Sequence, residues 1–416
     1  MTNATFFSQQ RPQFPALSRE FSGHPAVFFD GPAGTQVPQR VIDAVSNYFA
    51  TMNANHEGLF PTSLETDAML DEAHRACAAF VGSDDPETIV FGANMTSLTF
   101  ALSRSLAREW QPQDEVIVTR LDHDANVSPW VMAAADVGAK VHFVDLHKTD
   151  CTLDLEDFRA KLSPRTKLVA VGCASNSVGT INPVHNLCRW SREVGALTFL
   201  DAVHFAPHRL IDVAQFGCDF LACSAYKFFG PHIGILWGRR ELLDRLTAYK
   251  VRPASDALPD KWMSGTQNHE CLAGVIAAID YLADVGRALV PGQTDRRPAL
   301  AAAFEAIETY EQSLLQPLIE GIQSLEGFTI WGITDPAQFA QRAPTISITH
   351  RDLPAATIAE RLGARGIFVW HGNYYALELS EALEQEPEGM VRIGLIHYNT
   401  REEVDRLIQE LRNITE

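Results

Sequence analysis

Between residues 88 and 237, short apolar runs alternate with helix-like stretches, and this alternation limits the fold more than any other feature. The runs fall at 88–91, 115–119, 140–144, 167–171, 197–200, 220–223 and 233–237. Between the first two, Leu98, Leu102 and Leu106 recur at helical spacing. Strands that are apolar almost throughout have both faces buried, so the pattern predicts a mainly parallel, seven-stranded sheet with helices on both sides. In such α/β folds the ligand site lies beyond the carboxyl ends of the strands.

The flanks extend this reading. Thr62-Ser63-Leu64-Glu65 reads as a capping box opening a helix that runs to Phe80 and stops at Gly82. Residues 268–285 and 298–325 read as helices. Strands at 345–348 and 391–394 alternate with helices at 355–362 and 402–411, which suggests a smaller α+β domain. The expected organisation is an N-terminal segment (1–25), a large domain (26–295) and a small C-terminal domain (296–416). A formal charge of -18 argues against nucleic acid or an anionic membrane as partner. No apolar run approaches the roughly 18 residues that span a bilayer. The opening residues, Met1 to Ser8, lack a basic segment followed by an apolar one, so the cytoplasm is the expected compartment. Seven cysteines without a Cys-x-x-Cys pair fit neither a disulfide framework nor a zinc site. Cys173, Cys218 and Cys223 are expected as buried thiols.

Four strand ends carry polar residues of complementary chemistry. The run at 197–200 ends in Asp201, and the run at 220–223 leads through Ser224 to Lys227. A lysine that forms a Schiff base and an acid that keeps a pyridine nitrogen protonated together suit pyridoxal phosphate (PLP). Residues 91–97 pass from strand to helix among small side chains, where free N–H groups favour a phosphate; a plain turn is the alternative reading. His123 follows another strand and could stack on a planar ring and exchange protons with a substrate, or be an ordinary loop histidine. Asn176 could bond a ring hydroxyl, or serve only its turn. Each has a simple structural reading alone; together they point to PLP. His204 and His208 as metal ligands are set aside, because Pro207 spoils a helical i, i+4 pair and no third ligand is suitably spaced, so no metal is expected.

The stretches 200–204, 224–227 and 230–234 resemble the class V aminotransferase family of fold-type I PLP enzymes, and most of all cysteine desulfurases of the SufS/NifS type. Residues 175–183 are similar to the family's SN-x-x-G-x-x-x-P segment, and 398–405 match near the end. The resemblance implies that Lys227 carries the cofactor, Asp201 pairs the pyridine nitrogen, His123 stacks on the ring and Asn176 reaches its hydroxyl. It further implies that Met95, Thr96 and Ser224 serve the phosphate and that His204 stands where glutamine is frequent. Thr266 would reach the phosphate of a partner subunit, which implies a homodimer with shared active sites. Arg392 would grip the α-carboxylate of an amino-acid substrate through its guanidinium fork.

Three departures from the desulfurase pattern bear on function. Asn94-Met95-Thr96 replaces the usual Gly-Thr-Thr, and Tyr226 stands before the lysine where histidine is usual. The loop before Arg392, residues 369–377, has no cysteine to accept sulfur, and the last cysteine of the chain is Cys271. His371, Tyr374 and Tyr375 instead suggest an aromatic, hydrogen-bonding lid over the substrate, with plain packing against the small domain as the alternative. The expected activity is β-elimination from a cysteine- or cystine-like substrate, a C–S lyase. Transamination, epimerisation and a non-catalytic scaffold are the alternatives.

Overall fold

The computed structural model describes residues 2–415. At its centre lie seven strands: β1 (Ile89–Gly92), β2 (Glu115–Thr119), β3 (Lys140–Val144), β4 (Thr166–Gly172), β5 (Leu197–Asp201), β6 (Phe220–Ser224) and β7 (Gly234–Gly238). Their spatial order is β1-β7-β6-β5-β4-β2-β3. β7 runs antiparallel to both its neighbours, and the pairs among β2 to β6 are parallel. The sheet is therefore α/β and mainly parallel, with one reversed strand.

The near-continuous apolar runs have a direct cause. Val116, Val118, Leu168, Ala170, Phe199 and Leu236 enter one core, while Ile117, Val169, Val171, Leu200, Leu221 and Ile235 enter the other. Successive residues of a strand point to opposite faces, and here both faces are covered. Truncating a side chain such as Leu200 to alanine removes about 2–5 kcal/mol.

The helices include α1 (Pro61–Val81), α2 (Met95–Ala107), α3 (His269–Leu289), α4 (Arg296–Gln323) and α5 (Arg401–Thr415). α1 corrects the capping-box expectation. It begins at Pro61, after Phe60, with no side-chain cap. Proline presets the first helical φ, so the N-cap is Phe60 and not Thr62 and the helix starts two residues early. Ser63 is buried instead of capping, its Oγ donating to Asn55 O and accepting from Gly58 N–H. The C-terminal stop at Gly82 is as expected, with φ +78.

A second, antiparallel sheet contains β8 (Phe328–Trp331), β9 (Thr345–His350), β10 (Trp370–Gly372) and β11 (Met390–Gly394), in the order β8-β9-β11-β10. α4 packs against both α3 and α5 and so ties this sheet to the main body. Near the start of the chain, Val27–Phe28 pairs in parallel with Ile367–Phe368. The second sheet thus lies beside the carboxyl edge of the first. Among the described residues, no helix is long and apolar enough to cross a membrane.

Candidate active site

A cavity of about 1100 Å³ opens at the carboxyl edge of the central sheet. Its floor is made of strand ends. β5 finishes in Asp201, whose Oδ1 accepts the Val203 N–H at 2.8 Å. β6 finishes in Ser224, whose Oγ accepts the Met95 N–H at 3.0 Å. β1 hands over to α2 through Asn94, whose side chain accepts the Ser97 N–H at 2.9 Å and caps the helix. This turn is tight because Gly234 of β7 lies against it; a Cβ there would collide with the Asn94 backbone. Thr96 faces the cavity, whereas the Met95 side chain is buried in the core and only its backbone serves this edge.

His123 and Asn176 follow β2 and β4. His123 Nδ1 accepts the Ala125 N–H at 3.0 Å, which leaves the ring proton on Nε2. Asn176 donates through Nδ2 to Tyr374 O at 2.9 Å, while its buried Oδ1 has no partner. His204 is buried on the same wall, and neither of its ring nitrogens has a partner. Buried polar atoms are nearly always paired, so three unpartnered ones around one cavity mark where a ligand bonds.

Lys227 stands among these groups. Its Nζ donates to Pro32 O and, at 3.1 Å, to Ala33 O, and lies 4.9 Å from the centre of the Tyr226 ring. Burial lowers its pKa to about 7; the nearby Arg392 charge adds to this and Asp201 opposes it. Burial raises Asp201 to about 6, against the pull of the Val203 N–H and Lys227. His123 falls to about 4, through burial and the charges of Lys227 and Arg392, and so is neutral at physiological pH.

The other wall belongs to the second sheet. Arg392 of β11 is 4% exposed and donates from Nη1 to Asn176 O at 2.8 Å. Its guanidinium carbon lies 4.3 Å from the centre of the Tyr374 ring. The Tyr374 hydroxyl donates to Met390 O, and Tyr375 O accepts the Asp124 N–H at 2.7 Å. Tyr375 is 73% exposed, and its ring centre lies 5.5 Å from that of His123. His371 also lines the cavity.

The structure therefore brings together Met95, Thr96, His123, Asn176, Asp201, His204, Ser224, Lys227, His371, Tyr374 and Arg392. Thr266 is the exception. It is exposed and absent from the cavity wall of its own chain. Sequence reasoning missed Asp122 and His232, which also line the cavity. Asp122 accepts from the Thr119 hydroxyl at 2.7 Å and from the Gly172 N–H, where a Cβ would strike its carboxylate. Burial, opposed by the Thr119 bond and aided by Asp201, raises it to about 8, so it holds a proton at neutral pH. Its adjacency to His123 was the available signal.

The residue set fits PLP: a depressed lysine amine, a buried acid, unpartnered polar atoms beside them and a helix N-terminus at one end. Comparisons with known proteins agree. The aminotransferase class-V family profile matches residues 27–407. A cysteine desulfurase of Serratia proteamaculans (strain 568) is 31% identical over 419 residues, covering 97% of both chains. Aminotransferase-like protein FGM3 of Gibberella zeae is 33% identical over 426 residues, covering 99% of both. The apo cysteine desulfurase of Thermococcus onnurineus NA1 superposes with a TM-score of 0.83 at 25% identity, covering 96% of this chain and 98% of the other.

Proposed function

The chain belongs to the class V aminotransferase family, whose members are PLP enzymes, and from that premise we propose that it is a C–S lyase acting on cysteine- or cystine-like amino acids. The observation that carries this reading concerns thiols. The loop 369–377 has no cysteine, and none of the seven cysteines lines the cavity. Sulfur relay requires a nucleophilic thiolate at the site. Elimination requires none: cysteine and water give pyruvate, ammonia and hydrogen sulfide, with the Cα–H and Cβ–S bonds broken and no oxidant consumed.

The bound cofactor supplies the electron sink that makes the α-proton of an amino acid acidic. Lys227 would hold its aldehyde, Asp201 the proton on its pyridine nitrogen, and Asn176 and His204 its ring hydroxyl. Thr96, Ser224 and the backbone at Met95 would hold the phosphate at the start of α2. His123 would cover the ring face. Arg392 binds the substrate carboxylate, with Tyr374 stacked on the guanidinium to fix its plane. Lys227, with a pKa near 7, has enough neutral amine at physiological pH to take the α-proton.

Two subunits complete the site in this reading. Ile42, Phe49, Leu59, Phe60 and Leu64 form an exposed apolar stretch. The Tyr48 hydroxyl meets His269 Nδ1 at 3.2 Å, which sets the exposed Thr266 segment beside that stretch. A second copy covering it would bring Thr266 to the neighbouring phosphate.

The test is product analysis with PLP-loaded protein and a panel of L-amino acids. Pyruvate with ammonia from cysteine or cystine supports the lyase. A keto acid formed only with an amino acceptor makes the protein an aminotransferase, and a D-amino acid makes it an epimerase. No turnover of any substrate favours a scaffold.

A further inference from the structure

Tyr226 stands before the lysine where the resembled family usually has histidine, and an imidazole, that of the exposed His232, lies beside it. His232 stacks on the Tyr226 ring, with centroids 4.8 Å apart and an interplanar angle of 15°. Both rings line the cavity. The reversed direction of β7 explains how this arises. A parallel strand would begin at the far edge of the sheet, but β7 begins at the carboxyl edge. Gly234 pairs with Ser224 on one side and Gly92 on the other, so residues 230–233 sit between the two strand ends that lead to Ser224 and Asn94.

The segment is held firmly. Ala225 N–H donates to Ile233 O at 2.8 Å, and Phe228 and Gly230 N–H both donate to Ala225 O at 2.9 Å. Pro231 restricts the backbone next to His232, and Phe229 adopts a left-handed φ of 69. The rest of this end of the cavity consists of Asn94, Met95, Thr96, Ser97, Ser224 and Tyr226, none of which is a cation. Lys227 is bonded to the Pro32 and Ala33 carbonyls, and Arg392 to Asn176 O.

We propose that His232 is a phosphate ligand, donating a ring N–H to the dianion from the start of β7, with Tyr226 as the platform that orients it. This rests on the reading that the cavity holds PLP with its phosphate at the start of α2. Imidazole and phosphate would meet through a charge-assisted hydrogen bond.

The experiment compares apoprotein binding of PLP and of pyridoxal, which lacks the phosphate, by absorbance titration. His232→Ala should weaken PLP binding about 10- to 100-fold, the range for a hydrogen bond to a charged group, and leave pyridoxal unchanged. His232→Gln, which keeps a donor, should recover part of the loss, and Tyr226→Phe, which keeps the stack, should cost little. Equal weakening of both compounds, or weakening of neither, overturns the assignment while leaving the cofactor reading intact. If the unaltered protein binds no PLP, the cofactor reading itself fails and the assignment falls with it.

Discussion

The two walls of the cavity are built differently. On the strand-end wall, Asp201 and Ser224 close rigid strands, and His123, Asn176 and Lys227 follow within a few residues of one. Buried strands on both sides leave these side chains little freedom. The opposite wall joins one rigid residue, Arg392 of β11, to an irregular loop in which Tyr374 and Tyr375 have φ of 56 and 60. Non-glycine residues in that region cost about 1–3 kcal/mol each, so neighbouring contacts must hold them. Asn176 and Asp124 supply those contacts by bonding the two carbonyls. On the proposed reading, the difference would separate cofactor chemistry, set on the sheet, from substrate choice, set largely on a loop that meets the sheet through Asn176.

The largest effect expected is on the strand-end wall. Lys227→Ala should abolish borohydride-trappable cofactor and lower turnover by about 10⁴-fold. Trapping at another lysine would break the comparison at its root. On the opposite wall, Arg392→Ala should lower kcat/KM by about 10²-fold through KM, because one partner of a charged pair is truncated, and cofactor absorbance should persist. Loss of cofactor there would erase the division between the walls.

A smaller effect follows from the depressed amine. Lys227 has a pKa near 7 where 10.5 is ordinary, so its reactive neutral form grows as pH rises through 7 and levels off above 8. Apoprotein should therefore capture PLP about tenfold faster at pH 8 than at pH 6, as followed by stopped-flow absorbance. A rate that keeps climbing to pH 10 would mean an ordinary lysine. A change of similar or smaller size is expected from Tyr374→Ala. Uncovering Arg392 removes a cation–π contact of about 0.5–2 kcal/mol, so KM should rise about 2- to 30-fold with cofactor affinity unchanged. Weaker cofactor binding in that variant would show that the lid also supports the ring.

Much of the strand-end wall was legible in the sequence, because buried strands write themselves as apolar runs and their polar ends stand out against them. Asp201 and Lys227 were visible for that reason. The direction of β7 was not legible, since an apolar run reads the same both ways, and so the placement of His232 was hidden. Asp122 was hidden because its carboxylate is buried by long-range contacts with Gly172. The start of α1 was misread because Pro61 outweighed Thr62 as the first-turn signal. The lid residues were found only through the resemblance, since a loop without periodicity carries no signal of its own. Thr266 does not line its own cavity, and the role that the resemblance gives it would need a second subunit.

The central claim is that this site cleaves the C–S bond without keeping the sulfur. The most direct measurement gives L-[³⁵S]cysteine to the PLP-loaded protein and follows the carbon product and the protein-bound label in the same sample. The account predicts pyruvate with label released as sulfide and none retained on the chain. Alanine in place of pyruvate, with label held on the protein until a thiol removes it, would contradict it.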